Sequence, residues 1–169
     1  EVPEPFAVLA NNRKLFVASA RHELAVEKAT KVMTPGLIQL AVYRTAWTIG
    51  CSWCVDFGEM RMRLDALDIE RLKHIADFES SPAFTDADRA VIRLSDAMTS
   101  TPMTVTDEQI AALDKTYGHA GVLELTYQIA LENQRARMNH ALDITDQGFN
   151  SGDSCRVPWA DDQELSTRA

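Results

Sequence analysis

Residues 36–58 read GLIQLAVYRTAWTIGCSWCVDFG, and the fold turns on how this run is read. From Gly36 to Ile49 it is apolar on nearly every side, which predicts a buried helix. Thr34 precedes it as an N-cap, and Pro35 suits the first helical position. Gly50 breaks the run, and a second helix is expected from Cys51 through Leu64. Cys51 and Cys54 stand at i and i+3 near the start of that helix, on one face.

Helical signals continue in both directions. Asn11 to about Val32 carries Leu15, Ala18, Leu24 and Ala25 at helical spacing without Pro or Gly. DIERLKHIADF at 68–78 predicts a further helix ending near Ser80-Ser81-Pro82. Thr85 and Asp86 cap the next, which runs to Ser100. Thr106 with Gln109 forms a capping box for EQIAALDKTY, and a last strong helix is expected from Gly121 to Ile144. Period-two alternation is not sustained anywhere, so the fold class is all-α. Gly36-Leu-Ile-Gln-Leu echoes Gly121-Val-Leu-Glu-Leu and sets Gln39 against Glu124, as an old duplication or as two core helices that look alike. Beyond Ile144 the character changes: Gly148, Gly152, Pro158 and an acidic close show no periodicity. The organisation expected is a helical domain over 1–145 and an irregular tail over 146–169. Phe149 and Trp159 would anchor that tail on the body or on a neighbouring subunit.

The 169 residues suit one domain with a core large enough to dispense with disulfide staples. Seventeen basic against twenty-five acidic side chains give a net charge of -8. That balance speaks against nucleic acid or an anionic membrane as partner, since both reward clustered Lys and Arg. No apolar run approaches the ~18–20 residues that span a bilayer. The start, EVPEPFAVLA, carries no secretory pattern, although a chain beginning without Met leaves room for a removed leader. Three cysteines do not make a secreted disulfide framework, and a cytoplasmic, reducing location is expected.

In that setting CSWC has three readings. A helix N-terminus stabilises a thiolate, the form that attacks a peroxide oxygen or a disulfide sulfur. A second thiol one turn away can then resolve a sulfenic acid into a disulfide. Zinc would want a second ligand pair, and Cys155, His22 and His74 do not supply one by spacing. Two buried, inert cysteines are the third reading, because free Cys is among the most buried residue types.

The run 36–58, together with SPAFTDADRAVIRLSDAMTS and the helix-rich stretch to Ile144, resembles the carboxymuconolactone decarboxylase superfamily, specifically its alkylhydroperoxidase D-like branch. The resemblance covers roughly residues 30–145. It implies an alkylhydroperoxidase D-like helical bundle that forms homo-oligomers, commonly trimers or hexamers. It implies a peroxiredoxin-type oxidoreductase, a peroxidase without cofactor, whose CxxC cycles between dithiol and disulfide. Hydroperoxides would be the substrate and an external thiol or thioredoxin-like protein the reductant. Cys54 would meet the peroxide and Cys51 resolve it, whereas dipole reasoning alone favours Cys51 as the more acidic thiol. The lactone-processing members lack the cysteine pair. A non-redox helical oligomer with a binding or lactone-processing role and structural cysteines is therefore the alternative.

Two departures stand out. The family's proton relay places Glu twelve residues before the first Cys and His four after the second, where this chain has Gln39 and Gly58. Neither accepts a proton at neutral pH, and a general base is worth roughly 10²–10⁴ in rate. Gln39 and Glu124 are retained as candidate relay positions. Asp56, about 160° around the helix from Cys54, reads as a structural or solvated carboxylate. Trp53, Trp47 and Tyr43 read as core or as a pocket wall. His119 reads as part of a cap or turn, His140 as part of a polar face, and Cys155 as a bystander thiol.

Overall fold

The computed structural model describes residues 2–150. Their helices are α1 (Glu4–Ala10), α2 (Arg13–Ala29), α3 (Pro35–Ile49), α4 (Ser52–Leu64), α5 (Asp86–Thr99) and α6 (Asp107–Ala141), with a 3₁₀ helix at Glu70–His74 between α4 and α5. No strand occurs among the described residues, so the all-α class holds. Among them no helix is long and apolar enough to cross a membrane. Trp159, Cys155 and the tail beyond Asn150 lie outside the described residues.

α3 is the axis of the bundle and packs against α4, α5 and α6. Its buried residues occupy most of its circumference: Ile38, Leu40, Ala41, Tyr43, Arg44, Thr45 and Ala46. Burying a large apolar side chain such as Leu40 stabilises the fold by about 1.5–3 kcal/mol. The core has two lobes. One joins Met33, Ile38 and Ala41 to Val91, Leu94, Leu113, Leu125 and Ile129. The other joins Leu40, Tyr43 and Ala46 to Met62, Phe78, Ile92, Ala136 and Ile144, and it contains both Cys51 and Cys54.

Arg44 is the buried charge on α3. Its guanidinium forks onto Asp96 of α5, with Nε and Nη2 donating at 2.6 and 2.8 Å, while Nη1 donates to the Ile75 carbonyl at 2.7 Å. It also lies over the rings of Trp47 and Phe78. A planar, bidentate cation of this kind fixes α3 against α5 and the loop before it.

Local chemistry explains the boundaries. Gly50 takes φ +86° as the C-cap of α3, a left-handed conformation open to glycine without strain. Thr85 with Asp88 and Thr106 with Gln109 form complete capping boxes. Two expectations are corrected. The helix expected over Asn11–Val32 is shorter: Asn12 caps α2 by accepting from Leu15 N–H at 3.2 Å, and α1 precedes it. The segment 68–78 contains only the 3₁₀ helix and turns; Leu72, Ile75 and Phe78 bury at a spacing of three, which a 3₁₀ turn satisfies as well as an α-helix does. The last two helices meet as expected: Gly118, non-helical at φ 68°, ψ 168°, kinks α6 between them.

α2 has no buried residue, and Leu15, Val17 and Leu24 on it are exposed. Its ties to α6 are polar. Arg135 forks onto Glu23, and Gln128 donates to Thr30 at 2.9 Å.

Candidate active site

Cys51 is the N-cap of α4, placed there by the chain reversal at Gly50. Its sulfur accepts the backbone N–H of Cys54 at 3.2 Å. Sulfur thus takes the place that a Ser or Asp oxygen usually fills at a helix start, where unpaired N–H groups favour negative charge. One turn on, the Cys54 sulfur lies within bonding distance of the Cys51 sulfur, and the Cα atoms are 5.3 Å apart. That spacing falls inside the range disulfides adopt.

The pair is nearly closed to solvent, Cys51 at 2% and Cys54 at 8% exposure. The closure comes partly from the chain after α6, residues 144–150, which crosses the first turns of α4. Asp146 N–H donates to Ser52 Oγ at 3.2 Å, and Trp53 Nε1 donates to Gln147 Oε1 at 2.8 Å. The Asp56 carboxylate accepts from the backbone N–H groups of Phe149 and Asn150 and from Asn150 Nδ2. Phe149 stands edge-on to the stacked rings of Trp53 and Phe57. Phe149 therefore docks on the body of its own chain, and Asp56 is a structural carboxylate.

Asn139 approaches the sulfurs from α6. Its Nδ2 lies 3.4 Å from Cys54 Sγ and 3.8 Å from Cys51 Sγ, in a side chain only 2% exposed. Sequence reasoning passed over it in favour of its neighbour His140, which is exposed. A contact between residues 85 positions apart leaves no local pattern to read.

The two candidate relay residues lie on different helices, Gln39 on α3 and Glu124 on α6. Gln39 is half-buried on α3, on the same face as Tyr43 and Ala46. Glu124 is engaged elsewhere, its carboxylate accepting the backbone N–H groups of Lys31, Val32 and Met33 at 2.7–3.0 Å. Burial pulls the Glu124 carboxyl upward, but those N–H groups and the Lys31 charge outweigh it and hold it below the ordinary value. Gly58 lies on α4 facing Tyr43, where an added Cβ would meet the ring at an ordinary 3.6 Å. The histidines have other partners or none at the sulfurs: His22 bonds Tyr127 at 2.8 Å and His119 pairs with Asp114. Among the described residues no group of three or more His, Cys, Asp or Glu is placed to hold a metal ion.

One further acid is buried outside the cysteine pair. Glu132 on α6, 3% exposed, contacts Arg135 at 3.1 Å, and burial pushes its carboxyl up to about 7 against the pull of Arg135.

No family model matches the chain. The uncharacterized protein YnjA of Escherichia coli (strain K12) is 32% identical over 133 residues, 79% of this chain and 70% of that protein. Among solved structures, the Agrobacterium tumefaciens protein of unknown function ATU0492, a candidate antioxidant defence protein AhpD, superposes with a TM-score of 0.75. Its identity is 21%, over 82% of this chain and 94% of that one. The apo debrominase Bmp8 superposes at 0.74 with 21% identity, over 88% and 79% of the two chains. A cysteine-to-alanine variant of Bmp8 holding 2,3,4-tribromopyrrole superposes at 0.75 with 18% identity, over 100% and 84%. At these identities the solved structures establish the shared fold.

Proposed function

We propose that the chain, one of a family with YnjA and sharing the fold of an AhpD-like protein, belongs to the alkylhydroperoxidase D-like branch of the carboxymuconolactone decarboxylase superfamily and is a thiol-dependent oxidoreductase that reduces hydroperoxides through a reversible Cys51–Cys54 disulfide. The observation that carries this reading is the placement of two sulfurs within bonding distance at the N-terminus of α4.

In the cycle, the Cys54 thiolate attacks the terminal peroxide oxygen. The O–O bond breaks, Cys54 becomes a sulfenic acid, and the alkoxide leaves with a proton as alcohol. Cys51 then attacks the sulfenic sulfur, the S–S bond forms and water departs. An external dithiol returns two electrons and two protons. Attack of that reductant on Cys54 Sγ expels Cys51 as the thiolate, and the Cys54 N–H donating to Cys51 Sγ favours that leaving group. The greater exposure of Cys54 supports its role as the sulfur that meets substrate. Gln39 and Gly58 leave the family's relay positions without a base, so slow turnover belongs to this reading. The exposed apolar positions of α2, with Leu123 and Tyr127 of α6, support assembly with further copies of the chain.

The test is mass spectrometry of the reduced protein after an equivalent of alkyl hydroperoxide. A loss of two hydrogens on the peptide carrying CSWC, reversed by dithiothreitol, is expected. Cys54→Ser abolishes peroxide consumption, and Cys51→Ser stops it after one turnover. Unreactive thiols and an unchanged mass would refute the proposal and leave a helical oligomer with structural cysteines.

The likeness to Bmp8 and the aromatic wall of Trp53, Phe57 and Phe149 beside the sulfurs favour one second reading, dehalogenation of a bromopyrrole-like substrate. Bromide release from tribromopyrrole without peroxide consumption would select it.

A further inference from the structure

A thiolate buried at the Cys54 position needs a donor, and the helix end does not provide one. The α4 N-terminus serves Cys51, whose sulfur takes the Cys54 N–H. No charged side chain hydrogen-bonds either sulfur among the described residues. The one side-chain donor to Cys54 Sγ there is Asn139 Nδ2, at 3.4 Å and nearer to it than to Cys51.

The rest of the Asn139 side chain sharpens the point. It is 2% exposed, and its Oδ1 has no hydrogen-bond partner among the described residues. Its backbone is already used at the end of α6, where its carbonyl accepts from Ile144 N–H at 3.0 Å. A buried amide kept for packing would be expected to satisfy both ends or give way to an apolar residue. Here the amide hydrogen bonds described go to the two sulfurs alone.

We propose that Asn139 is the donor that makes Cys54 the reactive thiolate, its Nδ2–H stabilising negative charge on Cys54 Sγ in the reduced protein. This rests on the thiol–disulfide reading of the site. A neutral amide holds this role at every pH and needs no partner of its own to be charged. It also reconciles the two arguments about the cysteines: the helix end serves Cys51 as leaving thiolate, and Asn139 serves Cys54 as attacking thiolate. A hydrogen bond to a charged group is strong enough to raise the thiolate fraction about ten- to a hundredfold.

The experiment isolates Cys54 in the full chain with Cys51→Ser and Cys155→Ser, since Ser keeps the N-cap of α4. Thiolate absorbance near 240 nm and the rate of iodoacetamide alkylation are followed against pH, with far-UV circular dichroism confirming the helices. In Asn139→Leu the midpoint is expected to rise by about one to two pH units. In Asn139→Asp, equal in size but negatively charged, it is expected to rise further. If the Leu variant does not fold, Asn139→Ala, which also removes the donor without adding charge, decides the matter on the same readout. A merely structural Asn139 would lower thermal stability and leave the midpoint where it was, and that result overturns the proposal. The readout is independent of peroxide. A shifted midpoint in a protein that consumes no peroxide upholds the donor and sinks the peroxidase, while an unshifted midpoint in an active peroxidase sinks the donor alone.

Discussion

Replacing Glu132 with Gln should remove a specific slope from the pH dependence of stability. In the folded chain burial raises this carboxyl from 4.5 to about 7, with Glu23 adding to the rise and Arg135 opposing it. Between those values the native state holds a proton that the unfolded chain has released. Stability is therefore greatest near and below the unfolded value, falls as pH rises toward 7, and levels off above it. One pKa unit corresponds to about 1.4 kcal/mol, so the loss across the window is on the order of 3 kcal/mol. Asp88, Glu70, Glu79 and Glu124 have lowered values, so their slope runs the other way, and the comparison with Glu132→Gln cancels it. Urea unfolding at pH 5 and pH 7.5, followed by circular dichroism, measures the difference. Wild type should lose most of those ~3 kcal/mol on going to pH 7.5, and Glu132→Gln should lose little, since Arg135 keeps Glu23 as its partner. A wild-type profile flat between the two pH values, or an equal slope in the variant, would show that Glu132 is ionised throughout and refute the reasoning.

Glu124→Ala should destabilise the chain by about 1–3 kcal/mol, because three backbone N–H groups lose their acceptor, while peroxide consumption per folded molecule stays unchanged; a collapse of activity in the folded variant would restore Glu124 to a proton relay. The pair Gln39→Glu and Gly58→His should raise peroxide consumption by about 10² or more, as an added Cβ at Gly58 meets Tyr43 only at ordinary contact distance; stopped-flow traces no faster than wild type would show that proton transfer does not limit the rate. Leu24→Asp should reduce the assembled mass seen by light scattering if α2 meets another copy, and an unchanged mass would place the contact elsewhere.

Most of the fold was readable because its signals are local. Thr34-Pro35, Gly50, Thr85 and the Thr106–Gln109 box each act within one turn, and each ended or began a helix where expected. The failures are equally physical. Leu72, Ile75 and Phe78 suit two kinds of helix, so tertiary burial decided between them. At the site, CSWC announced itself by spacing, and the disposition of Gln39 and Gly58 could be read against the resemblance. Asn139 and the docking of Gln147, Phe149 and Asn150 on α4 could not, because each depends on partners more than 80 residues away.

The band of chain from Ile144 to Asn150 also sets a kinetic condition on the sulfurs. Reagents reach a covered centre in proportion to the small fraction of molecules open at any moment. An oxidised Cys54 then has a thiol one turn away at all times and a second oxidant molecule only during rare openings. In the proposed cycle, closure of the ring therefore outruns conversion to the irreversible sulfinic acid. On the proposed function, the enclosure slows each turnover, and by the same factor it raises the number of turnovers before the sulfur is lost.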